Sequence, residues 1–140
     1  MNPFGVYIQD VYIHIGYTSR VMGNDSRLDA LLPLPPAVFH ILMALADEDR
    51  HGYAIIQEVL SRTSGEVRLS PGTLYRSIQR MLEDDLIVEI SERPAAELDD
   101  ERRRYYRITA FGCSVARAEA NRLHDLVRLA RASGFHTKKA

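Results

Sequence analysis

Between Ser70 and Arg80 the chain sets a hydroxyl, an amide and two guanidinium groups at helical spacing. Ser70 is a favourable N-cap, and Pro71 then falls at the first helical position, where its missing N–H costs nothing. Leu74, Ile78, Met81 and Leu82 follow as one apolar stripe. At about 100° per residue, Gly72, Thr73, Arg76, Gln79 and Arg80 fall on the opposite side. Hydroxyl, amide and guanidinium groups presented together match the edges of DNA bases and the phosphates between them. Taken alone, such a face is more often a solvated helix surface. Arg80 has two readings of its own, a phosphate contact or a partner for Asp84 four residues on.

The elements around this helix decide between those readings. Pro36 sits near a helix start, with Val38, Ile41, Leu42 and Leu45 as its apolar stripe. Asp47-Glu48-Asp49-Arg50 reads as a polar turn. His51-Gly52-Tyr53 opens a second helix, with Tyr53, Ile56, Val59, Leu60 and Thr63 on one side, and Ser64-Gly65 ends it. The helix from Pro71 stops near Asp84-Asp85. Leu86 to Ile90 is β-branched and alternating, a strand; Pro94 to Glu101 is an acidic tip; Arg103 to Ile108 is a returning strand. Tyr105 and Tyr106 must point to opposite faces of that hairpin, one onto the helices and one to a ligand pocket or solvent. Thr109 caps a last helix running from about Ala110 to Arg131.

This predicts a mainly α fold with a small antiparallel β hairpin, a winged helix-turn-helix followed by a C-terminal dimerisation helix. The helix from Pro71 fits the major groove, about 12 Å wide. Arg102, Arg103 and Arg104 lie where a wing needs positive charge, or else balance Asp99-Asp100-Glu101. Phe111, Val115, Leu123, Leu126, Val127 and Ala130 exceed what so small a core can cover, so a dimer partner is expected to take them up, with packing of this helix within the chain as the alternative. The expected domains are an N-terminal extension over 1–33, poorly ordered, the winged helix over 34–109, the dimerisation helix over 110–133 and a frayed tail over 134–140. The extension holds the repeat Val6-Tyr7-Ile8 and Val11-Tyr12-Ile13. Met22 is an alternative start that would make the first 21 residues an artefact.

Composition narrows the function classes. The 140 residues suit one small domain with a real core. The net charge of −1 conceals an asymmetry: Glu101 to Ala140 carries ten Arg/Lys against three Asp/Glu, and Leu34 to Asp100 six against thirteen. The local patch sets the field a phosphate feels, so a neutral total does not argue against nucleic acid. A single cysteine, Cys113, excludes an internal disulfide and suits a reducing cytoplasm. No apolar run is long enough for a membrane span. The histidines at 14, 40, 51, 124 and 136 are scattered, with no metal-ligand spacing. There is no phosphate loop and no nucleophile elbow. No cofactor, metal or enzymatic activity is therefore expected. Cys113 and His40 read as core residues rather than a redox switch and a ligand.

Five segments, in order, resemble the signature segments of PadR-type transcriptional regulators. They are Leu34 to Leu42, His51-Gly52-Tyr53, Ser70 to Tyr75, Leu82 to Ile87, and Arg103 to Thr109. The resemblance covers about residues 34–130. It implies a bacterial winged-helix repressor that dimerises through its C-terminal helix, binds a pseudo-palindromic operator in double-stranded DNA and, in part of the family, responds to a small aromatic or apolar effector. By matching position it implies Thr73, Tyr75 and Arg76 in the major groove and Ser70 at the helix start. It also implies Gly72 against the phosphate backbone and Tyr53 with its hydroxyl on a phosphate. Tyr53 is alternatively a core residue, and Tyr75 part packing. Asp85 stands where the family has glycine, a substitution a left-handed turn tolerates. The remaining alternatives are a winged-helix protein-interaction module and a small-ligand binder without DNA binding.

Overall fold

In a computed structural model of the protein, residues 24–90 and 104–138 are described. The elements in order are α1 (Asn24–Ala30), α2 (Pro36–Ala44), β1 (Arg50–His51), α3 (Gly52–Arg62), α4 (Pro71–Glu83), β2 (Ile87–Ile90), β3 (Tyr105–Ile108) and α5 (Ala110–Ala132). They fall into two compact units. One is Leu34–Ala120; the other comprises the described residues before Leu34 and after Ala120.

The unit from Leu34 to Ala120 is cored by α2, α3 and α4. Val38, Ile41, Leu42 and Ala44 of α2, Ile55 and Val59 of α3, and Leu74, Ile78 and Met81 of α4 are all buried. The expected inner face of α3 needs correction. Ile55 is fully buried, Ile56 and Leu60 are half-buried, and Tyr53 is 65% exposed. Gly52 is the cause. It is buried, and a Cβ there would collide with the Tyr75 hydroxyl. Having no side chain, Gly52 faces inward at the start of α3, which turns its neighbour Tyr53 outward.

Helix ends follow local chemistry. His51 caps α3, its Nδ1 accepting from the Ala54 N–H at 3.3 Å. Ser64 and Gly65 take left-handed conformations after α3, with φ of 53° and 84°. After α4, Asp85 takes the left-handed conformation at φ 60°, and the Leu86 N–H donates to the Met81 carbonyl at 2.9 Å.

The sheet has three antiparallel strands in the order β1-β3-β2, not the expected two-stranded hairpin. Arg50 pairs with Tyr106 and His51 with Tyr105 on one side of β3; Ile87 pairs with Ile108 and Glu89 with Tyr106 on the other. The residues read as a polar turn thus end in a strand. Its ladder partner, not its composition, makes it one. Arg50 secures the turn, donating from Nε to the Ala44 carbonyl at 2.7 Å and pairing with Asp47, Glu48 and Glu58. The two tyrosines do alternate: Tyr106 is 3% exposed, while Tyr105 is half-buried, edge-on to the His51 ring at 5.3 Å.

Thr109 joins α5 to the turn after α4. Its Oγ1 accepts from the Gly112 N–H at 2.8 Å and donates to the Asp85 carbonyl at 2.7 Å. A side chain at Gly112 would run into the Leu86 carbonyl oxygen. Cys113, one position on, is exposed and not the core residue expected, because the turn that buries Gly112 and Val115 directs it outward. In the second unit, residues 24–30 form a helix with Leu28 buried, where a poorly ordered extension was expected. Its short polar sequence hid one inward leucine. The Val-Tyr-Ile repeat, Met22, the wing tip at 94–101, Arg102 and Arg103 lie outside the described residues.

Candidate nucleic-acid interface

The hydroxyl and guanidinium groups of α4 are held by the helix start itself. Ser70 Oγ accepts from the Thr73 N–H at 3.1 Å and donates to Thr73 Oγ1 at 3.1 Å. Arg76 Nη2 reaches the same Thr73 oxygen at 3.5 Å. Ser70, Thr73 and Arg76 thus form a chain of polar groups along the first turn, with Leu74, Ile78 and Met81 anchoring the opposite side. Gly72 is exposed, and the atom nearest to a Cβ added there is Arg76 Nη1 at 3.5 Å, ordinary contact. Packing therefore does not require a glycine at this position.

The other cations of this face come with carboxylates. Arg80 Nε lies 3.4 Å from Asp84, and Gln79 donates to Glu83 at 3.3 Å. On the strands, Arg104 Nη1 lies 3.3 Å from both oxygens of Glu89, and Arg107 makes two hydrogen bonds to Asp49 at 3.1 and 2.8 Å. Arg76 has no carboxylate partner among the described residues. Tyr53 and Tyr75, 65% and 53% exposed, stand at the start of α3 and on α4. Core packing is thereby ruled out for Tyr53, while Tyr75 does both: its ring end lies on Gly52 and its remainder is open. Of the sequence-derived candidates, Ser70, Gly72, Thr73, Tyr75, Arg76 and Arg80 share α4 and its cap; Arg104 lies beside β3.

The profile of the PadR-like family of transcriptional regulators matches residues 41–118. The chain belongs to this family. A transcriptional regulator of Mycobacterium tuberculosis, Rv3488, is 38% identical over 98 residues, covering 70% of this chain and 85% of its own. An uncharacterised protein of Lysinibacillus sphaericus is 38% identical over 72 residues, 51% of this chain; the match spans 63% of that protein's length, less than two thirds. The crystal structure of a PadR family transcription regulator from Clostridium difficile shares the fold at a TM-score of 0.58 with 23% identity, covering 70% of this chain and 97% of that one. This PadR-family chain is thus a winged-helix transcriptional regulator.

The expected dimerisation residues do not behave as one set. Val115 is fully buried in the chain's own core, which corrects its assignment to a partner surface; Phe111 is half-buried. Leu123, Leu126 and Val127 are exposed at 37%, 39% and 41%, with Ala130 half-buried beside them. Sequence reasoning missed two residues. Phe135, beyond α5, is exposed. Glu119 is buried and accepts from the Leu34 N–H at 3.3 Å, and its signal was a lone acid among alanines. His51, read as opening the second helix, does so with its ring, which caps α3. Among the described residues there is no cluster of three metal-ligating side chains and no helix long and apolar enough to cross a membrane.

Proposed function

We propose that the protein is a homodimeric repressor in the cytoplasm that reads a pseudo-palindromic operator and occludes a promoter. One observation carries the reading: the exposed first turn of α4, where Thr73 and Arg76 are linked and Arg76 meets no carboxylate among the described residues. An arginine so placed is available to guanine, the commonest specific base contact. Tyr75 reads alongside it. Tyr53, Ser70, Gly72 and Arg80 position the helix on phosphates, and Arg104, with Arg102 and Arg103, serves the wing. Leu123, Leu126, Val127 and Ala130, at helical spacing, take up the same residues of a second copy. Twofold symmetry then sets two copies of α4 about one DNA turn apart. A small effector releases DNA by favouring a dimer geometry in which that spacing is wrong. The role is binding, with no reaction assigned.

Fluorescence anisotropy against the DNA upstream of its own gene, at two salt concentrations, tests this. Tight, salt-dependent binding that both a scrambled duplex and Arg76→Ala weaken is the expected result. Absence of binding to any genomic fragment at low salt favours the protein-interaction or ligand-binding alternative.

A further inference from the structure

Within the Leu34–Ala120 unit, a groove of about 340 Å³ runs between α4 and the strands β2 and β3. Tyr75, Ile78 and Leu82 line one wall; Glu89, Arg104 and Tyr106 line the other. Tyr106 is 3% exposed, and its hydroxyl has no hydrogen-bond partner among the described residues. Buried polar groups are nearly always satisfied, so a buried hydroxyl on a cavity wall asks for a partner from outside the chain. Glu89 is the ladder partner of Tyr106, which puts both side chains on the same face of the sheet. Burial first, and the Glu89 carboxylate second, push the Tyr106 phenol up, so it remains a donor. Arg104 bridges both Glu89 oxygens at 3.3 Å with much of both side chains open to solvent.

We propose that this groove binds a small amino-acid-like zwitterion carrying an aromatic or branched aliphatic side chain. Its ammonium sits on Glu89 and its carboxylate on Arg104, which the Tyr106 hydroxyl supports by donating a hydrogen bond. Its apolar part rests on Tyr75, Ile78 and Leu82. The ion pair at the mouth selects both charges. A ligand with one charge that separates Glu89 from Arg104 strands the other residue, whereas a zwitterion gives each a new partner. The volume lies at the low end of ligand cavities, which suits a metabolite and not a drug-sized molecule. Resting on the function proposed above, the ligand carboxylate and a DNA phosphate compete for Arg104, so occupancy lowers DNA affinity.

The test needs no DNA and therefore stands apart from that reading. The full chain is titrated calorimetrically with L-phenylalanine, and in parallel with phenethylamine and 3-phenylpropionate, which each keep one charge. Saturable binding of L-phenylalanine, with each single-charge analogue at least about tenfold weaker, is expected. Tyr106→Phe and Glu89→Gln each weaken L-phenylalanine by about tenfold or more while the far-UV spectrum is kept. Should Tyr106→Phe fail to fold, Glu89→Gln, at an exposed position, carries the same comparison. Equal binding of the three probes, unchanged binding in the variants, or no saturation by about 10 mM overturns the proposal.

Discussion

Three glycine-to-alanine replacements in the Leu34–Ala120 unit have different expected signs, each following from what a new methyl group meets. At Gly112 the methyl group collides with the Leu86 carbonyl oxygen and approaches the Ile108 side chain at 3.0 Å. That carbonyl accepts the Thr109 N–H at 3.0 Å and cannot step aside without opening the junction of α5. The helix-propensity gain of about 1 kcal/mol does not offset such overpacking, and Gly112→Ala should cost about 2 kcal/mol or more. At Gly52 the collision is with the Tyr75 hydroxyl, the free end of a half-exposed ring, and the buried Leu74 methyl lies 3.2 Å away. The ring can swing outward, so the cost is about 1 kcal/mol. At Gly72 nothing is nearer than 3.5 Å, and alanine should stabilise by about 0.5–1 kcal/mol. Urea denaturation at fixed protein concentration measures all three. DNA anisotropy then separates stability from function: Gly72→Ala folds better yet binds DNA more weakly if backbone approaches phosphate there. An ordering other than Gly112, Gly52, Gly72 from most to least damaging refutes the packing argument. Tighter DNA binding by Gly72→Ala refutes the close approach.

Asp84→Asn should release Arg80 and raise affinity for operator and scrambled duplex alike by a few-fold, since such exposed pairs are worth about 0–1 kcal/mol; anisotropy at several salt concentrations reads this as a steeper salt slope. Leu126→Asp should shift sedimentation toward monomer at unchanged helix content, while Val115→Ala should lower stability without changing oligomeric state. Burial first, and Glu89 second, hold the Tyr106 phenol above its ordinary value of about 10, so its contribution is complete below about pH 10 and is lost as the pH rises beyond it. Thermal melts from pH 8 to 11, roughly spanning that range, should show a decline that is reduced in Tyr106→Phe. At neutral pH that variant should be as stable as the wild type or more so, because it removes a buried hydroxyl that meets no partner among the described residues.

The parts legible in the sequence were those fixed by local rules. Ser70 before Pro71, Thr109 before α5 and Asp85 in a left-handed turn are cap and turn chemistry, which needs only neighbours a few residues away. The α4 face was legible because Leu74, Ile78 and Met81 leave one way for the helix to lie. What escaped depends on partners distant in sequence. Strand β1 exists because β3, more than fifty residues on, offers it a ladder. The rotation of α3 depends on Tyr75 meeting Gly52, and the loss of Val115 from the dimer set depends on how far the first turns of α5 sink into the core. The groove beside Tyr106 was half legible: alternation placed one tyrosine inward, but that its hydroxyl meets no partner among the described residues is a property of the packed sheet.

The carboxylates beside the arginines bear on how such a face discriminates. Before Arg80, Arg104 or Arg107 can meet a phosphate, its contact with Asp84, Glu89 or Asp49 must open. Sequence-independent attraction is reduced by that exchange wherever the protein lands. Arg76 has no such contact to open among the described residues, and its hydrogen bond to Thr73 keeps it over the start of α4. On the base-reading role proposed for Arg76, the energy that remains undiscounted is concentrated at one specific contact, which raises the ratio of specific to non-specific binding even as overall affinity is lowered. A chain with a net charge of −1 can then work as a DNA reader without general attraction to polyanions. It follows that neutralising Asp84 and Glu89 together should lower specificity while raising affinity for any duplex, whereas removing Arg76 should lower specificity by weakening operator binding.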